Sequence, residues 1–348
     1  PAAGGARWTI PIEISVDIGA AIPASPVAVT AAPRAAEPAE VTERVVEPAH
    51  EEDYDNREGY KADFLGPEAP EVPLPEVVDL DAVARLEGGD HVIPYHHFSI
   101  VMHRRRRLAL FTACNVDANP ARKKPEPGRD YTRAGLGGLG KNDRERWFTD
   151  PRLRGSDQLP DRFFDKDNGA FDKGHIVRRE DVAWGDTYAE VQAANGDTFH
   201  TTNCSPQVAG FNRSNHDDNW GALEDLVLKQ ARNEKLCVFA GPVLAEDDRL
   251  FVGVDERSQI RVQIPREYWK VVVAEEDGAL RSFAFVLEQD LSATPLEFQV
   301  PAAWRHQMVS IAELEERLGT LRFPEAVHDG DQSGSEMGEA VRQSISFA

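Results

Sequence analysis

Phe171-Asp172-Lys173-Gly174-His175-Ile176-Val177-Arg178-Arg179-Glu180-Asp181 sets a carboxylate, a cation, a glycine and a histidine in consecutive positions, with two arginines close behind. A glycine lets the backbone approach a bulky anionic ligand. The histidine beside it is the side chain suited to taking a proton near neutral pH. Lys173, Arg178 and Arg179 add positive charge where a phosphate would lie. Read alone, the stretch is more simply a strand edge with a solvated charge cluster. Its meaning depends on its partners later in the chain.

Downstream come Thr202-Asn203-Cys204-Ser205-Pro206-Gln207, then Phe211-Asn212, then Trp220-Gly221-Ala222-Leu223-Glu224. In this order the blocks resemble the DNA/RNA non-specific endonuclease family, which includes endonuclease G. That family carries Asp-Arg-Gly-His, then Asn-x-x-Pro-Gln, then an Asn leading into Trp-x-x-Leu-Glu on a helix. The resemblance extends to Phe239-Ala240-Gly241-Pro242-Val243, to Ile264-Pro265-Arg266-Glu267-Tyr268-Trp269-Lys270-Val271-Val272, and to residues 311–323, and so spans roughly residues 90–325. It implies an α+β protein of the ββα-metal nuclease fold, with a central antiparallel sheet flanked by helices and an extended N-terminal arm.

The implied chemistry is phosphodiester hydrolysis in DNA or RNA with little sequence specificity. It needs a nucleophile, neutralised phosphoryl oxygens and a stabilised leaving oxygen, and one hard cation with oxygen ligands can supply the last two. His175 is then the general base that activates water. Asn212 is the metal ligand through its amide oxygen. Glu224 orients the water shell, and Asn203 orients the histidine or the substrate. Lys173, Arg178, Arg179 and Arg144 are expected on the phosphates. Arg146 completes the catalytic set, the choice between Arg144 and Arg146 being open. The expected cofactor is Mg2+, with Mn2+ as the alternative.

Asn212 is chosen over Asn215 and Asn219 by counting forward along the family's Pro-Gln-x-x-x-x-Asn arrangement. Counting back from Trp220 lands on His216 instead. Asn219 stands where a helix cap is needed. Two departures from the family pattern stand out: Lys173 replaces an arginine and loses the bidentate fork, and the segment from Ser214 to Asp218 lengthens the run between Asn212 and Trp220.

The formal net charge of −21 argues against a nucleic-acid enzyme until its distribution is read. Residues 1–90 hold 19 Asp+Glu against 6 Lys+Arg, whereas residues 101–181 hold 19 Lys+Arg against 13 Asp+Glu. The acidity lies mainly outside the segment that carries the site. No apolar run reaches membrane-spanning length, and no signal peptide is visible, so a cytoplasmic protein with no membrane partner is expected. Cys114, Cys204 and Cys237 are too few and too scattered for a zinc framework. They read as small buried apolar residues, one disulfide remaining open. His96, His97, His103 and His200 likewise show no zinc-ligand spacing. DNA or RNA is the expected partner. A protein partner or self-contact through the acidic arm, and a homodimer, stay open.

Along the chain, residues 1–60 read as an acidic, Pro/Ala-rich arm or linker, with one strand-like run at 8–18. Residues 61–90 form an extended segment pinned by aromatic and aliphatic anchors, 91–325 the nuclease domain, and 326–348 a loose tail. Two apolar runs, 98–103 and 108–116, suggest a hairpin, with Arg104 to Arg107 solvated at its tip or touching phosphate. The glycine-rich run 135–142 lacks the Ser or Thr and the preceding strand of a phosphate-binding loop, and reads as a flexible loop. Helices are predicted at 182–194 and from Trp220, capped by Asp218 or Asn219, and a capping box at Ser310 opens another that ends at Gly319. A catalytically silent nucleic-acid-binding module, or a nuclease-fold subunit of a larger assembly, is the alternative reading of the whole.

Overall fold

Six apolar runs pair into one antiparallel sheet in the order Ala279–Glu288, Glu267–Glu276, Lys235–Val243, Leu108–Asp117, Phe98–His103, Val92–Pro94. The computed structural model describes residues 44–140, 143–165, 171–213, 219–231, 235–254, 259–289, 307–331 and 333. The chain divides into two units, Pro1–Val41 and Thr42–Ala348, and every described residue belongs to the second. The strand-like run at 8–18 lies outside the described residues.

The central strands are covered on both faces, which is why they read as near-continuous apolar runs rather than alternating ones. Tyr268 and Val272 enter one core cluster with Phe98, Ile100, Trp220 and Leu223. Trp269, Val271 and Val273 enter the other with Phe111, Phe239, Leu314 and Phe323. The first face carries the Trp220–Ala231 helix, and the second the Ile311–Leu318 helix. Phe211, Trp220 and Tyr268 stand 5.2–6.0 Å apart by ring centroids and lock the first helix to the sheet. Burying each such ring contributes roughly 1.5–3 kcal/mol. This is the α+β architecture expected, with antiparallel strands throughout the main sheet.

Several boundaries differ from the sequence reading. The helix expected over 182–194 is two helices, Arg179–Val182 and Tyr188–Asp197. Thr187 and Glu190 form a capping box that fixes the start of the second. That helix runs through Gly196, where a Cβ would collide with the Ala49 carbonyl. The glycine-rich run opens instead with a helix, Arg133–Gly137, capped by Thr132 and ended by Gly138 at φ +64°. Asn219 caps the Trp220 helix, its Oδ1 accepting from the Ala222 N–H at 3.0 Å. Residues 328–331 are tied down: the Ser282 N–H donates to the Gly330 carbonyl at 2.7 Å and Asp331 caps Ile311 at 2.8 Å.

The linker reading of residues 44–60 is corrected. This strap pairs Val45–Val46 with Arg144–Glu145, stacks His50 on Phe148 at 3.9 Å, and buries Arg57 against Asp197. Polar composition hid it, since its anchors are single side chains rather than an apolar stripe. Further on, Tyr60 donates to the Val72 carbonyl at 2.6 Å and packs 5.5 Å from Phe239. The arginine run also differs: Arg106 is 9% exposed and bonds the Ala245 carbonyl at 2.8 Å and the Asp248 carboxylate, holding the hairpin of Arg249–Val254 and Gln259–Ile264. The three cysteines are free and buried.

Candidate active site

Asp172–His175 pairs antiparallel with Cys204–Gln207, setting Gly174 opposite Ser205 and His175 opposite Cys204. Ser205 and the Pro206 carbonyl both bond the Tyr268 hydroxyl, at 2.9 and 3.0 Å, which ties this two-stranded ribbon to the main sheet. Gly174 is required by packing: a Cβ there would collide with the Gln207 side-chain amide. Beyond the ribbon, Ala209–Asn212 forms one helical turn, and the Trp220 helix comes next. Two strands and a helix thus surround one open cavity of about 550 Å³.

His175 lies in its wall between Trp147, 4.5 Å away by ring centroids, and Phe199, 5.5 Å away. Burial, and then Arg133, Arg179 and Arg178, hold its imidazole well below the usual histidine range, so it is neutral at pH 7. Its Nε2 is buried and meets no hydrogen-bond partner among the described residues. Asn203 does not reach the ring. Fully buried, it accepts from the Val177 N–H at 2.8 Å and donates to the Val177 and Thr198 carbonyls at 2.9 and 3.0 Å. It clamps the backbone that carries the histidine and does not line the cavity.

Asn212 lines the cavity and donates its Nδ2 to Asp172 Oδ2 at 3.1 Å, a bond that leaves its Oδ1 uninvolved. Asp172 also receives Arg213 through two bonds, at 2.8 and 2.7 Å. Burial pushes the Asp172 carboxyl up, but Arg213 and Asn212 outweigh it and hold it below the usual range. Asp172 therefore fixes the loop and the amide. Glu224 is 7% exposed on the Trp220 helix, and burial raises it to about 7 against the pull of Lys270 and Arg178. Lys270 Nζ lies 3.4 Å from Glu224 Oε1 and 4.3 Å from the Trp220 ring centroid.

Lys173, Arg178 and Arg179 line the cavity. Each also has carboxylate company: Lys173 with Asp161, Arg178 with Glu180 and with Asp225 at 2.6 Å, Arg179 with Glu180. Neither Arg144 nor Arg146 lines the cavity. Strand alternation turns Glu145 inward and both arginines outward, with Arg146 only 3.7 Å from Glu47 of the strap. The missed cations are Arg133, paired with Glu145, and Arg213. Nothing adjacent in sequence marks Arg133. Lys270 was detectable, because a lone lysine inside the apolar run 268–274 must find a buried partner.

His96, His97, His103 and His200 do not line this cavity. His97 stacks on Trp184 at 3.5 Å, His96 bonds Asp197 at 2.8 Å, and His200 bonds the Tyr54 hydroxyl at 2.7 Å. His103 accepts from the Arg106 N–H at 3.2 Å. Among the described residues no group of three or more His, Cys, Asp or Glu side chains could hold a metal ion. One oriented amide oxygen beside a covered carboxylate does not suit zinc. It does suit a hard cation that keeps most of its waters.

One cavity thus gathers a neutral imidazole, the Asn212 amide, four carboxylates (Glu145, Asp172, Glu180 and Glu224) and five cations (Arg133, Lys173, Arg178, Arg179 and Arg213). A sequence model of the DNA/RNA non-specific endonuclease family matches residues 80–330, and the chain belongs to that family. The uncharacterized protein y4fB of Sinorhizobium fredii (strain NBRC 101917 / NGR234) is 31% identical over 327 residues, 87% of this chain and 45% of its own. Mitochondrial endonuclease G is 27% identical over 162 residues in Bos taurus and over 163 in Homo sapiens, in each case 44% of this chain and 48% of the relative. The chain thus spans about half the length of the curated relatives it matches. A crystal structure of the EndoG/EndoGI complex aligns with a TM-score of 0.48 at 18% identity, covering 69% of this chain and 86% of that one.

Proposed function

We propose that the protein is a metal-dependent endonuclease that hydrolyses phosphodiester bonds in DNA or RNA. The observation that carries this reading is the convergence of His175, Asn212 and Glu224 with Lys173, Arg178, Arg179 and Arg133 on a single cavity. Cations at the wall draw the backbone in and orient a phosphate toward His175. The neutral imidazole takes a proton from water as the water oxygen attacks phosphorus. One P–O bond forms, the bond to the leaving oxygen breaks, and that oxygen takes its proton from solvent.

Asn212 would hold one hydrated divalent cation, magnesium or manganese, with Asp172 fixing the amide and Glu224 serving the water shell. Such a cation, when bound, neutralises the phosphoryl oxygens and the developing charge on the leaving oxygen. Asn203 keeps the backbone after His175 rigid.

Incubating the protein with supercoiled plasmid and with single-stranded RNA, in magnesium and in excess chelator, tests the reading. Cleavage in magnesium that stops in chelator is the expected result. Binding without cleavage would point to a silent nucleic-acid-binding module instead.

A further inference from the structure

A second cavity, of about 300 Å³, adjoins the catalytic one and shares Arg179 and Glu180 with it. Its lining includes a small buried apolar cluster, Leu136, Ala183 and Val191, with Tyr131 packed against it, and the half-buried Leu228. Lys123 and Lys124 stand in its lining. Lys123 is held in place by donating to the Glu180 carbonyl, and to the Asp181 carbonyl at 3.3 Å, whereas Lys124 is exposed. Nothing in the hydrolytic step uses this slot.

An apolar cluster beside a cationic anion site matches the plan of a nucleotide, whose flat base is apolar on its faces and whose phosphate is charged. Arg179 belongs to both cavities, so a phosphate placed against it brings the adjoining base to the slot. The volume lies at the small end of ligand pockets, which run from about 300 to 1,000 Å³, and suits one base. We propose that this slot is a nucleobase subsite, taking the base next to the scissile phosphate by apolar contact. The apolar residues Leu136, Ala183, Val191 and Leu228 of the lining carry no hydrogen-bonding side-chain group and so do not themselves choose between bases. A base in the slot has left its stack, which favours single-stranded or locally unpaired strands.

The inference rests on the nuclease reading, and one experiment separates the two. Single-stranded oligomers are made with one cleavable phosphodiester, the other linkages being phosphorothioate, and with an abasic nucleotide on either side of it in turn. For the wild-type protein, losing the base on one side should raise KM about tenfold with little change in kcat. Leu228→Trp, which fills the slot from its half-buried side, should raise KM on the intact oligomer to the abasic value and leave the abasic KM unchanged. Anisotropy of the same labelled oligomers in chelator should show the same affinity ratio, independent of cleavage. Equal KM and equal affinity for intact and abasic oligomers with the wild-type protein overturn the subsite, whether or not the variant folds. Unequal affinity in chelator without any cleavage in magnesium overturns the nuclease reading and leaves the subsite standing.

Discussion

Beneath the strap, Arg57 meets Asp197 at 2.9 and 3.2 Å with both side chains wholly covered, and Asp197 accepts two further bonds from His96. At the cavity charge is also paired, but His175 Nε2 and Arg178 Nη1 meet no hydrogen-bond partner among the described residues. An unmet buried polar group costs roughly 1–3 kcal/mol. Such atoms are not confined to the cavity: both amide atoms of Asn195, Arg106 Nε and Asp248 Oδ1 also meet no hydrogen-bond partner among the described residues. The two regions use the same residue types. The difference between these two groups is that the Arg57–Asp197 pair lies under the strap with its charges met, whereas His175 and Arg178 line an open cavity with one nitrogen each unmet.

Substitutions should sort by the same line. His175→Ala should lower kcat by about 10²–10⁴-fold, the usual worth of a general base, and keep a cooperative melt. Single-turnover cleavage alongside circular dichroism measures both, and a loss below about tenfold would break the comparison. Arg57→Met should do the converse. It leaves Asp197 charged and buried, costing about 3–5 kcal/mol of stability, with the rate per folded molecule near wild type.

The pH dependence of that loss carries a sign. Burial pushes Asp197 up, but hydrogen bonds from His96 and Arg57 outweigh it and depress its folded value. A depressed carboxyl contributes stability above its unfolded value, near 3.9, and loses it as pH falls through the folded one. Denaturant unfolding of wild type and Arg57→Met should therefore differ more at pH 7 than at pH 3.

A smaller effect distinguishes the titrating groups within the site. His175 stays neutral, so the acid limb of the rate profile belongs to Glu224, raised to about 7 before any cation pulls it down. Cleavage then falls as pH drops and the carboxyl takes up a proton. Lys270→Met removes a cation that favours the carboxylate, so the limb should move up by about one unit at equal magnesium. A limb that ignores Lys270 but responds to Arg133→Ala would assign the titration to the histidine. The smallest effect expected is from removing residues 1–41, which form a separate unit. Rate and melt should not change. Removing 1–60 takes Arg57 with it and should abolish the cooperative melt.

The sheet was legible because 98–116 and 267–274 are apolar runs with turn signals between them, and the ribbon and helix of the site because their blocks stand in order. Asn219 was legible as a cap, since its position before Trp220 needs one. Arg133 and the strap were not: both reach the site region through tertiary placement, with no periodicity of their own. Arg146 attracted attention by sequence proximity, and strand alternation turned it away. A one-residue register decides which arginine faces a cavity, and short strands do not announce register in their sequence.

Titrating magnesium in a cleavage assay of wild-type protein and Asn212→Ala tests most directly whether the oriented amide holds the cation. The half-maximal magnesium concentration should rise by at least about tenfold in Asn212→Ala, and shift in the same direction in Asp172→Asn, which loosens the amide. Asn215→Ala and His216→Ala, at positions outside the described residues, should titrate like wild type. An unchanged titration in Asn212→Ala, with either control sensitive instead, would contradict the assignment.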